Sequence, residues 1–141
     1  VPARLQRLQK TGAPELVIDV GHNPQAAREL ARWLAEHPPR GRNTAVFGAL
    51  ADKDVAGIAI PLAPHIARWN LCGLDADSPR GLNAEQLRER MPAAMAGEFA
   101  GVDAALDAAS NQAGADDRIL AFGSFFVAGP ALAWAQVHAY R

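Results

Sequence analysis

The sequence predicts an α/β fold: a mostly parallel sheet of about six strands, one of them open to antiparallel pairing, with helices on both faces. Three observations predict it. Short apolar, β-branched runs alternate with longer stretches of helical period. Most of the 12 glycines and 10 prolines fall between those stretches. The chain has 141 residues, half of them hydrophobic and 21% charged, which suits a single domain of this class. Strands and helices alternating at this spacing imply right-handed crossovers and a sheet covered on both sides, a Rossmann-like layout.

The elements follow in order. Glu15 to Val20 reads as a buried strand. Asn23-Pro24 then supplies a helix N-cap with proline at the first helical position. Ala27, Leu30, Ala31, Leu34 and Ala35 recur at three- and four-residue steps, giving that helix an apolar face, and His37-Pro38-Pro39 stops it. Thr44 to Gly48 forms a second strand, and a second helix starts at Asp54 and is ended or kinked by Pro61. A third strand spans Ile66 to Leu71. A polar loop over Asp75 to Gly81 leads to a helix capped by Asn83 and carrying Leu87 and Met91. A weak strand lies near Glu98-Phe99, and an alanine-rich helix covers Val102 to Ala113. Arg118 to Phe122 is the last strand. The final helix starts at Ser124 or at Pro130, since both positions carry start signals.

Composition excludes several classes. Fourteen Lys and Arg against fifteen Asp and Glu give a net charge of -1, without the basic field of a non-specific nucleic-acid binder. One cysteine, Cys72, allows neither an internal disulfide nor a multi-cysteine zinc site, and at a strand end it packs as a small hydrophobe. No apolar run approaches a membrane span, and the start lacks a signal-peptide pattern, so a cytoplasmic setting is expected. Val1-Pro2-Ala3-Arg4 also lacks an initiator Met, which suggests a piece of something longer. His65 and His138 have no clustered partners, and Trp33, Trp69 and Trp134 read as packing residues.

In an open parallel sheet, ligands gather outside the carboxyl ends of the strands, where helix N-termini present free N–H groups. Three junctions there carry chemistry. In Asp19-Val20-Gly21-His22-Asn23-Pro24 an acid and an imidazole lie three residues apart around a tight turn. They can face one crevice, the acid toward a sugar or cation and the imidazole toward an anion or amine. A plain cap and polar turn would use the same residues. In Gly48 to Asp54, Lys53 lies between two acids and is one of only two lysines, the other being Lys10. Its ammonium suits a carboxylate or phosphate, and Asp54 also serves as a helix cap. In Gly123-Ser124-Phe125-Phe126, Ser124 can cap a helix and offer its hydroxyl and the following N–H groups to an anion. The sequence has no phosphate-binding G-x-x-x-x-G-K-[ST] loop, no dinucleotide G-x-G-x-x-G and no G-x-S-x-G nucleophile elbow.

In this order the junctions resemble the C-terminal domain of dihydrofolate synthase/folylpolyglutamate synthase, in the Mur ligase superfamily. Val1 to Gln6 is similar to the family's P-G-R-x-Q segment, and Asp19 to Pro24 to its D-x-A-H-N-P signature. Phe47 to Asp54 is similar to F-G-x-x-x-D-K-D, and Gly123-Ser124-Phe125 to G-S-F. Ala3 stands where the family has glycine, and Gly21 where it has alanine. The resemblance covers almost the whole chain.

It implies one domain over residues 1–141, with 1–14 as a lead-in from an N-terminal ATPase domain that holds the P-loop and most Mg ligands. It also implies an ATP-dependent amide ligase that phosphorylates dihydropteroate or a folate and joins L-glutamate to the acyl phosphate. By this likeness Arg4, Asp19 and Asn23 serve ATP, while His22, Lys53, Ser124 and Phe125 line the glutamate pocket. His22 would be the catalytic residue, orienting the amine or taking its proton, and no metal ligand is assigned to this chain. Arg80, in the loop after the third strand, is a further anion-binding candidate without an assigned partner. The isolated chain is expected to be inactive. Two alternatives are another Mur-type amino-acid ligase and a non-catalytic α/β binding module. A receiver module would need an acidic pair after its first strand, where Asp19 stands alone.

Overall fold

The computed structural model describes residues 5–92 and 96–141. Six strands form one sheet: β1 (Leu5–Leu8), β2 (Glu15–Asp19), β3 (Asn43–Phe47), β4 (Arg68–Cys72), β5 (Ala96–Phe99) and β6 (Arg118–Phe122). Among the described residues five α-helices connect or follow them: α1 (Pro24–Glu36), α2 (Val55–Leu62), α3 (Ala84–Arg90), α4 (Val102–Gln112) and α5 (Phe125–Val137). The strand order is β1-β2-β6-β3-β4-β5, and among the described strands only the β1–β2 pair is antiparallel.

Period-two alternation in the strands divides the core into two layers. Val17, Ala45, Phe47, Leu71, Leu120 and Phe122 face α1, α2 and α3, where Leu30, Leu34, Ile58, Leu62 and Leu87 pack on them. Leu16, Ile18, Val46, Cys72, Ile119 and Ala121 face α4 and α5 with Leu106, Val127 and Trp134. Burial pushes the Cys72 thiol up to about 12, so it stays protonated and packs as an apolar group. The inner strands β2, β6, β3 and β4 thus bury both faces, which is why these segments read as apolar runs.

This order sets the site. From β2 and β3 the chain crosses to one face through α1 and α2, whereas from β6 it passes to the other through α5. Because β6 sits between β2 and β3, neighbouring loops part at the carboxyl end and open a crevice there.

Most local expectations stand, with bounds shifted by a residue or two. Asn23, Asp54 and Ser124 cap α1, α2 and α5 by accepting the N–H groups of Ala26, Gly57 and Phe126. Asn83 and Gln86 form a reciprocal capping box on α3. The last helix starts after Ser124, and Pro130 lies inside it. Helix α2 continues one residue past Pro61 and passes into a 3₁₀ turn over Ala63–His65. That turn delays β4: the Ile66 N–H closes it on Ala63, so pairing with β3 begins at Arg68.

Candidate functional site

Three loops on separate strands meet at the carboxyl end of the sheet. His22 follows β2, Lys53 follows β3, and Ser124 and Phe125 follow β6. All four line one cleft of about 210 Å³, together with Arg80 from the loop after β4 and Phe126 at the start of α5.

Each loop has a local reason for its path. After β6 the chain turns at Gly123, whose φ of +113° is costly for any residue with a Cβ. A Cβ there would also collide with the Gly48 carbonyl oxygen, so only glycine lets the β3 and β6 loops lie together. The turn sets Ser124 at the cap of α5, where its Oγ accepts the Phe126 N–H at 3.1 Å. Ser124 is buried, while Phe125 stands 66% exposed on the rim, with its ring centroid 6.2 Å from that of His22.

The loop after β3 is fastened to the loop after β4. Ala51 N–H donates to the Arg80 carbonyl at 2.7 Å, and Leu50 bridges Gly81. Within this loop the acids flanking Lys53 are engaged: Asp54 caps α2, and Asp52 lies 3.6 Å from Arg80. Lys53 is half-buried and forms no ion pair among the described residues. Lys53 thus lines the cleft with no carboxylate paired to it among the described residues.

His22 is half-buried, with Nδ1 3.3 Å from the Val20 carbonyl. A carbonyl only accepts, so this contact assigns the proton to Nδ1 and leaves Nε2 as the nitrogen able to receive one.

The cleft thus unites His22, Lys53, Ser124 and Phe125, the four residues read from sequence as one pocket. Asp19 and Asn23 belong to the same turn as His22 but do not line the cleft. Asp19, at the end of β2, is buried and accepts the Gly21 N–H at 3.0 Å, and the Asn23 side chain caps α1. Arg4 lies outside the described residues. Leu5 pairs with Asp19 across the β1–β2 ladder, so the chain enters the sheet beside this rim. Sequence reading left Phe126 unassigned. Its sole signal was position, directly after the G-S-F segment.

In charge the cleft suits a small anionic molecule. Two cations, a helix N-terminus and an imidazole converge on it, with an exposed aromatic ring at its edge. Among the described residues no three His, Cys, Asp or Glu side chains gather as a cation site.

A mostly parallel sheet with a cation-lined crevice at its topological switch defines a class, the α/β domains that take ligands at the carboxyl ends of their strands. The chain belongs within that class to the Mur ligase, glutamate ligase domain family, whose model matches residues 3–125. It is 38% identical over 125 residues to the dihydrofolate synthase/folylpolyglutamate synthase of Escherichia coli (strain K12), covering 89% of this chain and 28% of that protein. Among solved structures it is similar to E. coli FolC in complex with DHPP and ADP, at 34% identity and a TM-score of 0.85, covering 99% of this chain and 32% of that one. A bifunctional folylpolyglutamate synthase/dihydrofolate synthase with Mn, AMPPNP and L-glutamate bound matches at 35% identity and a TM-score of 0.82, covering 98% and 32% of the respective chains. The chain spans less than a third of the length of these relatives.

Proposed function

We propose that this chain is the C-terminal, glutamate- and nucleotide-binding domain of an ATP-dependent ligase that adds L-glutamate to dihydropteroate or folates. In this reading residues 1–141 are one domain, with 1–14 leading in from an N-terminal ATPase domain, and the protein works in the cytoplasm. Among the described residues no helix is long and apolar enough to cross a membrane. The observation that carries the reading is the convergence of His22, Lys53, Ser124 and Phe125 on one cleft from three separate strands. Supporting it are relatives of that activity and a similar structure that holds L-glutamate and AMPPNP.

In the reaction, ATP phosphorylates the acceptor carboxylate, and the α-amine of glutamate attacks the acyl carbon. A C–N bond forms, the C–O bond to phosphate breaks, and phosphate leaves. Lys53 and the N–H groups at the start of α5 hold carboxylate charge and fix the amine's approach. His22 Nε2 takes the proton that the amine must lose. Closure against the N-terminal domain, which would cover the rim where Phe125 stands exposed, keeps out the water that would otherwise consume the acyl phosphate. Arg4, Asp19 and Asn23 serve the nucleotide, on likeness to the family's motifs. A divalent metal serving ATP finds no ready donor set among the described residues, and the reading places its ligands in the N-terminal domain.

The test is kinetic. In the full-length protein carrying this domain, Lys53→Ala raises KM for glutamate at least tenfold and changes that for ATP less than twofold. Equal effects on both would remove Lys53 from the amino-acid pocket. The 141-residue chain alone should release no phosphate from ATP.

A further inference from the structure

The amino-acid reading leaves one charged group on the cleft wall without a task. Arg80 lines the same cleft as His22 and Lys53, yet it comes from a fourth loop, after β4. Its backbone is held firmly. The Arg80 carbonyl accepts from Ala51 at 2.7 Å, its N–H donates to Ser78 Oγ at 3.2 Å, and the next residue bridges Leu50. Its head group is held weakly. The one ion pair it makes among the described residues, to Asp52 at 3.6 Å, has side chains 65% and 55% exposed, a geometry in which such pairs contribute little.

Strand order arranges the groups along the rim. From one side to the other lie His22 on the β2 loop, Ser124 on the β6 loop, Lys53 on the β3 loop and Arg80 on the β4 loop. Strands β2 and β4 are three places apart in the sheet, and the Leu50–Gly81 bridge brings Arg80 back beside the β3 loop that carries Lys53. In the amino-acid reading, His22 serves the amine and Ser124 and Lys53 the α-carboxylate, which leaves Arg80 as the remaining cation on the wall.

We propose that Arg80 reads the side-chain carboxylate of the amino-acid substrate, and that Asp52 is the stand-in carboxylate this substrate displaces. Arg80 is thus a specificity-determining residue: it distinguishes an acidic side chain from its amide, which offers a guanidinium no charge. The Asp52 contact keeps the guanidinium beside the cleft and opposes binding weakly. The inference rests on the reading of the cleft as an amino-acid site.

The test titrates the 141-residue chain with L-glutamate, glutarate and L-glutamine at constant ionic strength, following its ¹H–¹⁵N spectrum. Arg80→Gln weakens glutamate and glutarate by about three- to tenfold and leaves glutamine within twofold, as expected for loss of one exposed charged hydrogen bond. Asp52→Asn tightens glutamate about twofold, and this gain disappears in the Arg80→Gln background. Equal weakening of glutamate and glutamine, or an Asp52→Asn gain that survives without Arg80, would overturn the assignment of Arg80 alone. If the parent chain shows no saturable shift with glutamate, the amino-acid reading of the cleft falls and takes this inference with it.

Discussion

At the amino end of the sheet, Glu15 gathers Arg7 at 2.8 Å, Arg118 at 2.7 Å and the Gln9 amide, and both guanidinium groups lie over the Trp33 ring at about 5 Å. At the carboxyl end, Lys53 has no ion pair among the described residues, Arg80 keeps a long and exposed one, and Phe125 turns its ring to solvent. The amino end pairs its charges inward around a buried tryptophan. The carboxyl end leaves cations and an aromatic ring facing an open cleft. Both ends are polar, so polarity does not mark the site. Charge without an internal partner, grouped by three or more strands, does mark it.

Three substitutions and one titration can break or sharpen this contrast. The largest effect belongs to Glu15→Ala, which leaves Arg118, 4% exposed, without its carboxylate. Losing one partner of a buried pair costs about 3 kcal/mol. Chemical denaturation should show that loss, while glutamate binding at the other end persists. A loss below about 1 kcal/mol would mean that the amino end does not hold the fold as described.

Acid titration comes next. Burial alone would raise the Glu15 carboxyl, but hydrogen bonds and charge from Arg7 and Arg118 outweigh it and hold the group below its ordinary value. Asp117 is held low as well, by the N–H groups of Gly114 and Arg42. A carboxyl lowered by folding stabilises the fold above its unfolded value, near pH 4.3 for Glu, and loses that contribution as pH falls through the folded value. Thermal melts should therefore fall steeply below about pH 4.3, and the Glu15→Ala variant should fall less. Identical acid limbs would contradict the assignment. The smallest effects on stability are those of Lys53→Ala and Arg80→Gln, within about 0.5 kcal/mol in the same denaturation assay.

How much of this was legible in the sequence depends on what holds each part. Strands β2, β3 and β6 are central and buried on both faces, so their apolar runs announce them. Strand β1 has no such run: Leu-Gln-Arg-Leu is set by its ladder with β2, a long-range contact that no local pattern carries. The start of α5 stayed open because Ser124 and Pro130 are both good start signals. The left-handed turn at Gly123, forced by the Gly48 carbonyl, decides for Ser124. Motif likeness grouped four pocket residues that the cleft does unite. Arg80's place on the wall was not legible, because it depends on the fastening of the β3 and β4 loops through Ala51 and Leu50.

The central claim is that loops from separate strands form one receptor for an amino acid with two carboxylates. Mapping backbone amide shifts on the 141-residue chain during a glutamate titration tests it most directly. The account predicts saturable shifts at His22, Lys53, Ser124 and Phe125 together, with Arg7, Glu15 and Trp33 silent. Shifts confined to the amino end, or spread evenly over both ends, would contradict it.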